Sequence, residues 1–301
     1  MKTYQDLETF SNWTPEERDL FSISVIKGLV MDATRKANSG HPGGPMSCVD
    51  FAYILYKEYL NFDSQDPNWF NRDRFILSGG HMSMLLYSLL FFNGWLNMDD
   101  LRNFRQLHSR TPGHPEVEIP GVECTTGPLG QGFGMGVGMT LAESYLRHTI
   151  ENISEDAQGL VDHFSYVLAS DGDLQEPVSL GAASLAGHLE LSRLIVFYDA
   201  NEAQISGHTN RSDSTNYASV FEGFNWHVQE INGHDHDALR DAIEKAQVME
   251  KPSIIIGNTI MAHGTATREG DHNTHGAPLP QDEHDATKEQ LGLAPEPFYF
   301  P

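Results

Sequence analysis

The 301-residue chain has only two cysteines, Cys48 and Cys124. Two thiols make no disulfide framework, and neither has a neighbour at metal-ligand spacing, so both read as buried thiols. Basic residues are also scarce: 19 Lys and Arg stand against 42 Asp and Glu, for a net charge of −23. That balance argues against a nucleic-acid partner and against an anionic membrane surface, leaving solubility, or adaptation to a salty environment, as its meaning. An anionic cofactor on such a chain needs local devices: a metal, helix N-termini or histidines. No apolar run approaches the roughly 20 residues of a membrane span. The opening stretch, MKTYQDLETFSNWTPEERD, carries acids and no apolar signal core, so a cytoplasmic address is expected. Repeats, low-complexity tracts and an interdomain linker are lacking too. One large domain is the default, because α/β folds reach this size.

What is present alternates. Thr14-Pro15-Glu16-Glu17 has the pattern of a capping box, and Leu20, Phe21, Ile23, Ile26, Leu29, Val30 and Ala33 then form an apolar helical face ending near Asn38-Ser39-Gly40. GHPGGPMSCVDFAYILYKEYL places a Gly/Pro loop before a second helix. RDRFILSGGHMSMLLYSLLFF reads as strand, Gly-Gly turn and helix, which puts His81 near a helix N-terminus, where the dipole suits anions. Residues 97–126 begin helical and become a long Pro/Gly-rich loop, a kind that tends to be functional. Glycines from Gly127 lead into another helix. A strand at 165–169, a helix near 177–189, a strand at 193–198, a helix near 237–248 and a strand at 252–256 complete a βαβ alternation. The fold class is α/β, a parallel sheet with helices on both faces. Residues 1–293 are expected to form the domain, and 294–301 (APEPFYFP) the start of a linker or C-terminal tail.

The stretch SYVLASDGDLQEPVSLGAASLAG holds the chemistry. An apolar strand buried on both faces ends in Asp-Gly-Asp, and acids at a strand's carboxyl end face the crevice where open α/β sheets bind ligands. If the strands at 165–169 and 193–198 lie close, Asp171 comes near Asn201 of YDANEAQISG. Two oxygen ligands from adjacent strand ends suit a hard cation such as Mg²⁺, completed by phosphate oxygens, waters and a carbonyl, while Gly172 lets the main chain approach a phosphate. On spacing alone, a strand closed by a solvated Asp-Gly turn is the more economical account.

Seven motifs tip that balance. NSGHPGGPM, LSGGHMSMLLYSLL, TPGHPE, TTGPLGQG, SDGDLQEPVSLGAASLAG, FYDANEAQISG and NTHGAPL, in this order and along nearly the whole chain, resemble the amino-terminal, diphosphate-binding domain of transketolase. The resemblance implies a thiamine-diphosphate-binding fold. It implies that Asp171 and Asn201 bind Mg²⁺ or Ca²⁺ through side-chain oxygens, with Ala203 adding its carbonyl. Gly172, His81 and His275 would contact the diphosphate, and Gly127, Pro128 and Leu129 would run over the aminopyrimidine. His41, His114 and His275 would surround the substrate hydroxyls and the reacting carbon, work that suits an imidazole because its ordinary pKa of about 6.5 permits proton exchange near neutrality. His148, His163 and His234 match no motif and are expected to be solvated.

The implied activity is transfer of a two-carbon ketol unit from a ketose (phosphate) to an aldose (phosphate). Dihydroxyacetone synthase and other thiamine-dependent ketolases share the cofactor motifs. A non-catalytic cofactor-binding or regulatory subunit is the alternative from another class. A metal-dependent phosphohydrolase would need further carboxylates at neighbouring strand ends, which the sequence does not offer. Several positions depart from the family pattern: Ser170 for a glycine, Pro177 and Gly181 for a glycine and a glutamate, Met82 for a small residue, and Glu202-Ala203-Gln204 in the metal loop. Glu176 remains as a cofactor-side carboxylate. The glutamate that activates the cofactor, and the arginines that bind sugar phosphate, belong in the family to a pyrimidine-binding domain. That domain is expected on a partner subunit or a further segment, in a dimer or heterotetramer. The helix after Gly127 and the apolar helix at 83–92 are expected contact faces.

Overall fold

The computed structural model describes residues 2–153 and 155–301. In chain order the elements are α1 (Pro15–Ala37), α2 (Gly43–Ile54), β1 (Arg74–Leu77), α3 (Ser83–Phe92), α4 (Met98–Arg102), α5 (Gln131–Glu151), β2 (Ser165–Ser170), α6 (Asp171–Gln175), α7 (Pro177–His188), β3 (Leu194–Ala200), β4 (Ala203–Gln204), β5 (Gly207–His208), α8 (Tyr217–Gly223), β6 (His227–Asn232), α9 (His236–Gln247), β7 (Ser253–Asn258) and α10 (Gln281–Gln290). Five strands form one sheet in the order β1-β2-β3-β7-β6, and every neighbouring pair is parallel. β4 and β5 make a separate small hairpin.

Strand periodicity divides the core. Phe75, Leu77, Tyr166, Leu168, Ile195, Phe197 and Ile255 join α1, α2, α3 and α9 on one face. Ile76, Val167, Ala169, Leu194, Val196, Ile254 and Ile256 join α5, α7 and α8 on the other. Alternate residues point to opposite faces of a strand, so a central strand covered twice must be apolar at every position. All six residues of β2 are buried for that reason.

The sequence signals at α1 hold. Thr14 Oγ1 accepts the Glu17 amide at 3.1 Å, and Glu17 Oε2 accepts the Thr14 amide at 2.9 Å. Asn38 ends the helix in the left-handed region at φ 48°. Replacing Thr14 with alanine should cost about 1 kcal/mol and lower the melting temperature by roughly 2 °C, measurable by thermal denaturation.

Four expectations are corrected. The helix α3 is no contact face: residues 83–90 are buried, packed within the larger core. His163 is only 7 % exposed, its Nδ1 lying 3.3 Å from Asn71 Oδ1. His234 is no solvated residue either; its Nδ1 donates to Asp50 Oδ2 at 3.0 Å and its Nε2 accepts the Ile260 amide at 3.0 Å. Last, residues 294–301 lie against the domain. The Phe298 amide donates to Asp32 Oδ2 at 2.6 Å, and the Phe300 ring meets Phe91 at 4.9 Å between centroids. His148 is exposed as expected, Cys48 is buried, and Cys124 is half-buried.

His163 carries a pH consequence. Burial, followed by Arg74 and Arg72, pulls its pKa down to about 4. The unfolded chain therefore binds more protons between about pH 4 and 6.5, so stability rises with pH across that window and is fully present above it. The urea midpoint should fall between pH 7 and pH 5, and His163→Gln should flatten part of that fall.

Candidate active site

The sheet brings the separated motifs together. β2 and β3 are adjacent and parallel with Ser170 opposite Asp199, so Asp171 just beyond one strand and Asn201 just beyond the other reach the same crevice. Both line a cleft of ≈ 530 Å³ together with His41, His81, His114, Gly127, Leu129, Gly172, Ala203 and His275. That volume lies within the range of about 300–1,000 Å³ typical of small-molecule sites.

Asp171 is buried. Its Oδ1 accepts the Tyr198 hydroxyl at 2.6 Å, while Oδ2 makes no hydrogen bond among the described residues. Burial pushes this carboxyl up to about 7, against the lowering effect of Tyr198. Asn201 donates through Nδ2 to Asp199 Oδ2 at 2.8 Å and accepts the Ala203 amide on Oδ1 at 3.0 Å. Those bonds fix which end of the amide is oxygen and leave Oδ1 one lone pair. Asp199 is fully buried and also accepts the Ser47 hydroxyl at 2.7 Å and the Thr259 hydroxyl. It is thus a further carboxylate at a neighbouring strand end, which sequence reasoning missed. Its oxygens are committed to these bonds, and it forms no part of the cleft wall. A buried carboxylate oxygen with no donor and an amide oxygen with a spare lone pair fit a hard divalent cation.

Loop packing shapes the adjoining wall. A Cβ on Gly172 would stand 2.6 Å from Leu129 Cδ1, and one on Gly80 would stand 2.7 Å from Thr126 Oγ1. At Gly80 the Cβ would also meet the Gly127 amide nitrogen at 2.9 Å, so a side chain there would push apart the loops that enclose the cleft, whereas at Gly172 the flexible Leu129 side chain would have to give way. Pro128 and Glu176 are exposed and lie outside the cleft wall, although both were expected at the cofactor. Ser170 has φ −105°, ordinary extended backbone, so its hydroxymethyl replaces a glycine without strain. Glu202 has φ 56°, a left-handed backbone in the loop that carries Ala203. Gly181 is exposed with no atom within 4 Å of a built Cβ. Met82 is buried and lines the cleft beneath Gly44.

The histidines gather in the same cleft. Ring centroids of His41 and His81 are 5.1 Å apart, of His81 and His275 5.0 Å, and of His41 and His275 5.7 Å. His114 lies beside Gly127, where a built Cβ would be 3.5 Å from the imidazole Cγ. Burial is the leading cause that lowers all four. It takes His41 to about 4, helped by His275, Arg105 and His114, takes His81 well below its ordinary value, and lowers His114 and His275. Neutral imidazoles both donate and accept. Arg105 Nη2 lies 3.4 Å from His41 Nδ1, and a guanidinium only donates, so the His41 proton sits on Nε2. His275 Nδ1 is buried without a partner among the described residues. The cleft also contains Gln204, from the departure in the metal loop, together with Ile205 and Met261, which no motif reading singled out.

A sequence profile described as "Transketolase, thiamine diphosphate binding domain" matches residues 19–301. The chain belongs to the transketolase family. Transketolase 1 of Vibrio cholerae is 48% identical over 282 residues, covering 92% of this chain and 42% of that protein. The transketolase of Staphylococcus epidermidis is likewise 48% identical over 282 residues, covering 93% of this chain and 42% of that protein. The crystal structure of the Campylobacter jejuni transketolase superposes with a TM-score of 0.90 at 41% identity, covering 94% of this chain and 44% of that one. The chain therefore spans about two-fifths of the length of the transketolases it matches. Every residue brought into the cleft falls inside the matched transketolase region. The residues present fit thiamine diphosphate: a buried carboxylate oxygen without a partner among the described residues, glycines in the wall, and neutral imidazoles in the same cleft.

Proposed function

We propose that this chain holds the diphosphate and metal end of thiamine diphosphate in an enzyme that transfers a two-carbon ketol unit from a ketose (phosphate) to an aldose (phosphate). The observation that carries the proposal is Asp171 Oδ2, buried without a donor among the described residues, in the same cleft as Asn201 at the ends of adjacent strands. Asp171 and Asn201 hold Mg²⁺ (or Ca²⁺) by side-chain oxygen, and Ala203 adds its carbonyl. Gly172 gives main-chain access to the diphosphate, and His81 and His275 donate to its oxygens. Gly127 and Leu129 line the cofactor's path. When bound, thiamine diphosphate supplies the electron sink for breaking the bond beside a ketose carbonyl.

The chain's own residues bind and manage protons. His41 presents Nε2–H, and with His114 and His275 it hydrogen-bonds sugar hydroxyls. Being neutral at pH 7, these imidazoles accept and return protons near the reacting carbon. The domain works in the cytoplasm with sugar-phosphate substrates and with a pyrimidine-binding partner, in a dimer or heterotetramer. Exposed apolar residues on α5 and α7, among them Leu141, Tyr145, Val178 and Leu185, support such a contact.

The test joins this chain to the pyrimidine-binding part of a relative, with thiamine diphosphate and Mg²⁺. Donor-dependent aldehyde release and ketol transfer are expected. A well-formed complex inert toward every ketose tried would refute the proposal.

A further inference from the structure

Asp173 is fully buried, yet it forms no part of the cleft wall. Its Oδ1 accepts the Ser78 hydroxyl at 2.6 Å and the Gly130 amide at 2.7 Å. Its Oδ2 accepts the Ser170 amide at 2.9 Å and the Ser170 hydroxyl at 2.8 Å. Four donors therefore fill the four lone-pair sites of one carboxylate. They come from three separate segments. Ser78 leads from β1 through Gly79 and Gly80 to His81; Gly130 directly follows Gly127-Pro128-Leu129; Ser170 directly precedes Asp171-Gly172. Ser78 Oγ in turn accepts the Phe133 amide at 2.9 Å, which carries the link into the first turn of α5.

We propose that Asp173 is a positioning residue that sets the register of these three segments and so determines how tightly the chain holds the metal and diphosphate. The role rests on the thiamine diphosphate reading above. A carboxylate suits it because all four groups that face it can donate. In Asp173→Asn, either orientation of the amide turns its NH₂ toward a backbone N–H, that of Gly130 or that of Ser170. Two donors then meet, and the segments move apart.

The experiment compares wild type, D173N and D32N by calorimetric titration with thiamine diphosphate at saturating Mg²⁺, alongside peptide-level hydrogen exchange of the chain without cofactor. Asp32 is also a buried acceptor, taking Lys288 Nζ at 2.9 Å and the Phe298 amide at 2.6 Å, but it lines no part of the cleft. It therefore reports a general loss of stability. The expected result is binding by wild type, at least tenfold weaker binding by D173N, and D32N within twofold of wild type. Exchange in D173N should quicken in 127–133 and 168–173 while 253–258 is unchanged. D173N binding within twofold of wild type, or D32N weakened as much as D173N, would overturn the positioning role alone. Absence of binding by wild type would overturn the cofactor reading and this role with it. If D173N does not fold, S78A removes one of the four donors; weakening of at least threefold supports the role, and unchanged affinity overturns it.

Discussion

Asp171→Asn is expected to weaken metal-dependent thiamine diphosphate binding by about a hundredfold or more, close to 3 kcal/mol, while the chain melts no lower than wild type. The two halves of this result have one cause. Asp171 Oδ2 is buried with no donor among the described residues, so the fold gains nothing from that oxygen and pays desolvation to keep it. Tyr198 bonds Oδ1 at 2.6 Å, and an asparagine oxygen can accept that same hydroxyl. A neutral amide, however, cannot supply the anionic ligand that a dehydrated divalent cation requires. Titration calorimetry and differential scanning calorimetry on the same samples check both halves. Affinity within threefold of wild type would move the cation elsewhere. Melting several degrees lower would make Asp171 a structural acceptor instead.

Gly187→Ala is expected to cost about 3 kcal/mol or more and to lower the melting temperature by roughly 6–12 °C. A Cβ at this position would stand 1.7 Å from the Phe224 carbonyl oxygen, a clash with backbone that no rotamer relieves. Neither side yields readily. Trp226, two residues on, is buried and donates its Nε1–H to the Ala183 carbonyl at 2.8 Å, tying the segment before β6 to α7 itself. Between them, Asn225 already adopts a left-handed φ of 68°. Gly187 lines no part of the cleft, so folded G187A should keep its cofactor affinity. A melting temperature within 2 °C of wild type would mean that α7 does not approach this backbone so closely.

Legibility followed burial. β2 and β3 were readable because strands covered on both faces must be apolar throughout, and their ends then fixed where Asp171 and Asn201 meet. β6 was not readable: HVQEIN is an edge strand, only half-buried, whose polar residues break the apolar run. The clustered histidines His41, His81 and His275 were legible only through the resemblance, since nothing local links positions so far apart in sequence. Asp173 and Asp199 read as turn or strand-end acids, yet their burial depends on donors from distant segments, Ser78 and Gly130 for one, Ser47 and Thr259 for the other. The Asp199-Ala200-Asn201 spacing held a clue, because residues two apart on a strand share a face. His234 was missed for the same reason: its partner Asp50 lies on α2.

The central claim is that this chain carries the metal and diphosphate half of a thiamine diphosphate site. Proton NMR of thiamine diphosphate with Mg²⁺ in deuterated buffer, with and without the chain, tests it most directly by following line broadening and loss of the C2 proton. The account predicts Mg²⁺-dependent broadening that disappears in D171N, with no faster C2 exchange until a pyrimidine-binding partner is added. Sharp lines at every chain concentration, or broadening that survives D171N unchanged, would contradict it.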